Sequence, residues 1–191
     1  MVKNKEKAEE TSITERHGKM QHMTLSAMLI ALTYIATWLI NIRLPFAGTG
    51  GLIHLGNVPL FIGALLFGRA TGFFAGAVGM GLFDLTSGWG AWAPFTFIIC
   101  GAMGYAVGLF AEKMPIKNTF ANDLVSMILA LGIKIIGYYF AEVILTVNWI
   151  APFSSIPGNV IQVCTAIVIT CILCPVLRQI LRRTPVRSVL V

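Results

Sequence analysis

The chain has 191 residues, of which 57% are hydrophobic and 12% charged, and its mean hydropathy is +0.81. A water-soluble domain carries roughly 25% charged residues, so this composition excludes a soluble globule and points to lipid as the main solvent. The formal charge of +6 gathers at the flanks of apolar runs, which argues for a membrane surface and against nucleic acid as its partner.

A helix needs roughly 20 apolar residues to cross the hydrocarbon core, and the polar, Gly and Pro punctuation divides the chain into six candidates. The expected architecture is all-α and polytopic: a polar tail at 1–22, a six-helix membrane domain at 23–177 and a basic tail at 178–191. In the first tail Lys3, Lys5 and Lys7 are interleaved with Glu6, Glu9 and Glu10, a solvated pattern, and the apolar run behind it is too long for a signal-peptide core. The first helix is predicted over 23–42.

Between Pro45 and His54 lie Gly48, Thr49, Gly50 and Gly51, a flexible stretch suited to a lid. It lacks the Lys-Ser or Lys-Thr ending of a phosphate loop, so nucleotide binding is not supported. The second helix, 54–67, is short for a full span and must be tilted, re-entrant or buried among neighbours. It stops at the tight turn Gly68-Arg69-Ala70-Thr71-Gly72. The third, 72–85, is laced with Gly72, Gly76, Gly79 and Gly81, which lets its backbone approach another helix closely.

An uncharged turn with Trp89 and Trp92 follows, and Pro94 suits the first turn of the fourth helix, 94–110. A polar link at 112–118 leads to the fifth helix, 123–146. The uncharged segment 147–156 leads to the sixth, 157–177, and the tail holds Arg178, Arg182, Arg183 and Arg187.

Cytoplasmic loops collect Lys and Arg. With the N-terminus inside, the cytoplasmic side receives Lys3, Lys5, Lys7, Arg16, Lys19, Arg69, Lys113, Lys117 and the four tail arginines. The outside receives Arg43 alone, so both termini are expected in the cytoplasm. Lys134 is left inside the membrane.

Ionisable groups inside a bilayer are expensive and call for a reason. Lys134, Tyr138 and Glu142 are spaced four apart along one side of the fifth helix. Either that side lines a cavity open to the exterior, with Glu142 and Tyr138 hydrogen-bonding a ligand, or Lys134 pairs with Glu142 or Asp84 and merely stabilises packing. Asp84, closing the third helix, reads as a water-exposed interfacial residue. Trp89 and Trp92 are either interfacial anchors or a stacking platform above the cavity. His54 and Asn57, at the start of the second helix, face the glycine-rich stretch either as caps or as ligand contacts.

Enzymatic constellations are not assembled from three histidines, two of which, His17 and His22, lie in the N-terminal tail. Cys100, Cys164, Cys171 and Cys174 all fall within apolar segments. Cys171-x-x-Cys174 has no second pair, histidine or acidic ligand near it in sequence, so these cysteines read as small buried residues rather than a metal or redox site.

The runs His54-Leu55-Gly56-Asn57-Val58-Pro59-Leu60-Phe61 and Leu66-Phe67-Gly68-Arg69-Ala70-Thr71-Gly72, followed by Gly81-Leu82-Phe83-Asp84-Leu85 and Trp92-Ala93-Pro94-Phe95-Thr96, resemble the substrate-capturing S component of energy-coupling factor (ECF) vitamin transporters. The resemblance covers 23–177. It implies a six-helix protein of the bacterial cell membrane, with an outward-facing pocket covered by the first external loop. It also implies a transmembrane coupling subunit and two cytoplasmic ATPases as partners, and transport by toppling of the loaded subunit. ATP would be used by those partners, with no enzyme activity, cofactor or metal in this chain.

Ala27 and Ala31 match the family's small residues, spaced four apart, that dock on the coupling subunit. One departure stands at Cys100, where relatives with the Trp-Ala-Pro signature often carry lysine. Within the group the likeness is nearest to members assigned to hydroxymethylpyrimidine or pyridoxine. Pantothenate is the rival, since its carboxylate would favour Lys134 exposed in the pocket and Glu142 paired away; riboflavin is third. Readings from other classes are a stand-alone ion-coupled carrier, which needs an intramembrane carboxylate, and a structural subunit with no ligand.

Overall fold

The computed structural model describes residues 2–43, 52–114, 116–184, 186 and 190, with side chains from Gly18 onward except at 43 and 52. Helix α1 runs Val2–Leu39, so the polar N-terminal segment is a helical continuation of the first membrane helix. That helix ends at Leu39 rather than Ile42. Ile42 belongs instead to strand β1 (Asn41–Arg43), which pairs antiparallel with β2 (Leu52–His54) in a register of Ile42 opposite Ile53 and Asn41 opposite His54. Neither strand was expected, although β-branched Ile42 and Ile53 suit a pleated pair. The stretch expected as a lid lies, over Pro45 to Gly51, outside the described residues.

Helix α2 (Asn57–Phe74) contains Gly68 at φ 85° and ψ 176°, a conformation open essentially to glycine alone. A methyl group built on Gly72 would lie 2.6 Å from the Ala64 β-carbon, and one on Gly76 would lie 2.6 Å from the Leu60 side chain. Eight residues of straight helix span about 12 Å, so the chain has reversed. Residues 57–67 and 69–86 are antiparallel limbs folded together at Gly68, as the tight turn predicted there requires.

Reversal strips both limbs of backbone partners, which other helices supply. The Arg69 N–H donates to Glu112 Oε1 (3.4 Å), and Arg178 Nη2 donates to the Leu65 carbonyl (3.3 Å). The Phe67 carbonyl accepts from His22 Nε2 (3.1 Å) and the Thr71 hydroxyl (3.3 Å). Arg178 is anchored in turn by the Asp123 carboxylate at 3.0 Å. The turn is thus fastened from α1 and from three later elements: α4 (Ala93–Lys113), α5 (Thr119–Thr146) and α6 (Ile156–Leu181).

The second limb passes through a π turn, Ala75–Met80, into α3, Gly81–Thr86. A π turn takes up an extra residue and advances everything after it by about 100° relative to a continuous α-helix. The glycines expected to permit close approach do so. A methyl on Gly76 would meet the Cys100 carbonyl oxygen at 2.2 Å, and one on Gly104 the Gly72 carbonyl oxygen at 2.0 Å. The 69–86 limb and α4 are therefore in backbone contact, with Pro94 in the first turn of α4 as predicted.

Asn118 caps α5 through its side chain, which accepts from the Ala121 N–H (3.2 Å). Helix α5 therefore begins four residues earlier than the 123 expected, and α6 runs on to Leu181. Asn148 and a 3-10 turn at Ala151–Ser154 shape the uncharged link between them.

Among the described residues, five helical stretches are long and apolar enough to cross a membrane: Gly18–Leu39, Asn57–Thr86, Ala93–Lys113, Thr119–Thr146 and Ala151–Leu181. The second is the one doubled back at Gly68. Its short first limb is the core of the bundle, with Leu60, Phe61, Ala64 and Leu66 buried against α1, α4 and α6. Burial among neighbours is how a segment too short for lipid is accommodated. The outer surface carries exposed Ile98, Ile136, Ile144, Val168 and Ile172, the apolar face that lipid requires.

Candidate functional site

At the end of the bundle bearing the strands, the helices leave a small, partly open cavity of about 50 Å³. One wall is aromatic: Trp89 and Trp92 from the turn between α3 and α4, with the Trp92 and Tyr138 rings 6.3 Å apart between centroids. Thr96, one turn into α4, exchanges a hydrogen bond with the Tyr138 hydroxyl (3.0 Å), which also lies 3.4 Å from Cys100 Sγ. The other walls are Asp84 from α3, His54 from β2, Lys134 from α5, and Asn159 and Gln162 from α6.

Lys134 sits at the bottom of this polar group and is 2% exposed. Its ammonium donates to Gln162 Oε1 (3.0 Å) and lies 5.3 Å from the Tyr138 ring centroid, close enough for a cation–π attraction. Gln162 Nε2 donates to the His54 carbonyl (3.2 Å). The His54 ring accepts the Gly56 N–H at Nδ1 (3.2 Å), which requires an unprotonated Nδ1. Burial, and then the positive charge of Lys134, hold the imidazole well below its ordinary pKa, in agreement with that tautomer.

Of the residues singled out from sequence, Tyr138, Trp89, Trp92, His54 and Lys134 are brought together in the cavity wall. Glu142 is not among them. It is 2% exposed and accepts from the Ser155 hydroxyl at 2.6 Å, tying α5 to the start of α6. Asn57 also lies outside the lining. It is fully buried in the first turn of α2, and neither amide atom has a hydrogen-bond partner among the described residues.

In place of the alternative in which Lys134 pairs with Glu142 or Asp84, its ammonium bonds the Gln162 amide. Asp84, expected at a wet interface, is 9% exposed and faces the cavity. Thr96, Asn159 and Gln162 were missed. A signal existed for α6: Ser155, Asn159 and Gln162 are spaced four and three apart, a polar stripe on an otherwise apolar helix.

Ala27 and Ala31 lie on the outward face of α1, among exposed Met23, Met28, Leu32 and Ile35, and take no part in the cavity. Cys100 and Cys174 are buried as expected, whereas Cys171 is half-buried and Cys164 exposed. Among the described residues no group of His, Cys, Asp and Glu could hold a metal ion.

A protein-family model described as "ECF-type riboflavin transporter, S component" matches residues 18–179. The thiamine precursor transporter HmpT of Lactococcus lactis is 27% identical over 160 residues, 84% of this chain and 89% of that protein. An uncharacterised protein of Pyrococcus woesei is 32% identical over 97 residues, 51% of this chain and 63% of its own length. A UPF0397 protein of Streptococcus agalactiae is 33% identical over 90 residues, 46% of each chain. The chain therefore spans less than two thirds of some relatives and nearly all of HmpT.

A solved structure described as the S component of a bacterial ECF transporter superposes with a TM-score of 0.66 at 20% identity, covering 86% of this chain and 99% of that one. Its likeness is one of fold. With most of its length, both limbs of the Gly68 turn and every residue of the cavity lining inside the matched region, the chain belongs to the family of ECF-type transporter S components.

Proposed function

We propose that this S component captures hydroxymethylpyrimidine, a thiamine precursor, in the cavity between Trp92, Asp84 and Lys134. The observation that carries the reading is the composition of that cavity. Two indoles offer stacking faces. The Asp84 carboxylate and the Lys134 ammonium balance in formal charge, matching a neutral solute. An exocyclic amino group would donate to Asp84, and a ring nitrogen or the hydroxymethyl oxygen would accept from Lys134. HmpT, similar over nearly its whole length, is a thiamine precursor transporter, which supports the same ligand class; pyridoxine, also a hydroxylated single ring, is the neighbouring choice.

Pantothenate is the second reading, favoured by Lys134 in the cavity wall and by Glu142 bonded to Ser155. Against it stands Asp84, which would repel a second carboxylate. In the proposed topology the chain crosses the membrane six times, counting the two limbs at Gly68 separately. Both termini and the Gly68 turn are cytoplasmic, and the strand pair and cavity are external. Transport would need a transmembrane coupling subunit, docked at Ala27 and Ala31, and two cytoplasmic ATPases that hydrolyse ATP.

The test is titration of the purified subunit with hydroxymethylpyrimidine, pyridoxine, pantothenate and riboflavin, read by intrinsic tryptophan fluorescence. Saturable quenching is expected with hydroxymethylpyrimidine at the lowest concentration, through Trp89 and Trp92. Saturation by riboflavin or pantothenate at lower concentrations would overturn the assignment, and no saturation by any would favour a subunit without a ligand.

A further inference from the structure

We infer that Gln162 is a positioning residue. Its side-chain amide fixes the Lys134 ammonium in the cavity wall and couples it to strand β2, so that the state of the cavity is felt at the strand pair. The inference rests on the cavity being the ligand site, as proposed above.

The chemistry of the three partners leaves one orientation. A lysine ammonium only donates, and a backbone carbonyl only accepts. Bound between them, an amide must present its oxygen to Lys134 and its nitrogen to His54, as the distances of 3.0 Å and 3.2 Å place them. Gln162 is 1% exposed, and its amide is packed between these two partners. A glutamate at this position would keep the acceptor but lose the donor, leaving the His54 carbonyl unserved. A methionine would lose both.

An amide is also neutral. A lysine on a flexible four-carbon stem can swing toward any carboxylate within reach, and Asp84 faces the same cavity. Held by an uncharged partner, the ammonium keeps its charge available to a solute and stays apart from Asp84. The far end of the link is the His54 backbone, whose residue pairs with Asn41 across the strand pair. Among the described residues Lys134 has no hydrogen bond to either strand, so its hydrogen-bonded link to them runs through Gln162, beside the direct effect of its charge on the His54 ring.

The test is hydrogen–deuterium exchange of the full-length subunit in detergent micelles, without ligand, following peptides that cover 41–43 and 52–54. Gln162→Met is expected to speed exchange there by roughly two- to tenfold, the opening produced by losing about one hydrogen bond. Lys134→Met is expected to do the same, and the double variant to exceed neither single by more than the error. If Gln162 is merely a structural plug for the strand, Lys134→Met leaves strand exchange at the wild-type rate, which overturns the inference. The same result overturns it should Gln162→Met fail to fold. A double variant whose effect is the product of the singles also overturns it.

These arms contain no ligand, so they decide the role of Gln162 even if hydroxymethylpyrimidine proves not to bind the wild type, a result that would sink the functional reading alone. Where it binds, Gln162→Met is expected to weaken it at least about tenfold in the fluorescence titration; unchanged affinity would count against the positioning role.

Discussion

The seam between the 69–86 limb and α4 gives the most direct test of the fold and the site together. Consider Gly104→Ala. The added methyl carbon would stand 2.0 Å from the Gly72 carbonyl oxygen and 2.3 Å from its carbon, whereas carbon–oxygen contacts settle at about 3.3 Å or more. The shortfall of roughly 1.3 Å is against backbone on both sides, so no rotamer change relieves it and the two helices must separate or slide. A gap of 0.5–1 Å already forfeits a quarter to a half of each dispersion contact, and overpacking costs about 1–3 kcal/mol. With backbone rather than a flexible side chain as the neighbour, the upper end, about 3 kcal/mol, is expected.

The same displacement moves Asp84 away from Thr96 and Trp92 across the cavity, so ligand affinity falls with stability. The assay pairs thermal unfolding in detergent with the tryptophan titration. Gly132→Ala is the control, since nothing lies within 4 Å of its added methyl and glycine inside a helix costs about 1 kcal/mol relative to alanine. It is expected to be as stable as the wild type or slightly more so. A Gly104→Ala protein that melts with the wild type and binds as well would refute the backbone contact.

Three further outcomes are expected. Arg178→Ala leaves the Asp123 carboxylate uncompensated and the Leu65 carbonyl without its donor. With those side chains 17% and 10% exposed, the loss is placed at the low end of the range for a broken buried pair, about 3 kcal/mol, and would be read from a denaturation midpoint shift against Arg182→Ala. His54 is held neutral in the fold while its unfolded counterpart titrates near 6.5. The unfolded state therefore binds more protons below that pH, and stability is present above about pH 6.5 and lost as pH falls. His54→Gln should flatten the fall in melting temperature between pH 7.5 and 5.5 that the wild type shows; parallel curves would contradict it. Asp84→Asn removes a charged acceptor from the cavity and is expected to weaken hydroxymethylpyrimidine by roughly tenfold or more, the worth of a charge-assisted bond, with Asp123→Asn as the comparison that leaves the cavity intact.

Much of the architecture is legible in the residues alone, because lipid imposes rules that act on each segment separately. A spanning stretch must be long, apolar and internally hydrogen-bonded, and this marks the cores of α1, α4, α5 and α6. The reversal at Gly68 follows from a glycine beside a charged residue between two apolar runs, and the close approach of the next helix from its glycines. The aromatic turn at Trp89 and Trp92 and the polar side of α5 at Lys134 and Tyr138 are visible in the same way. What segment-wise rules cannot supply is the rotation of one helix against another. Asp84 lines the cavity with Thr96 of α4 and Gln162 of α6, a juxtaposition that no periodicity within its own helix announces. The partner of Glu142 is Ser155 and that of Lys134 is Gln162, thirteen and twenty-eight positions onward, choices made where α5 and α6 cross. Pairing of Arg178 with Asp123 is likewise a meeting of distant turns. Local composition told where the chain enters lipid, and only the packed bundle decided which polar groups share a wall, because desolvated donors and acceptors select their partners by the geometry of helix contact rather than by distance along the chain.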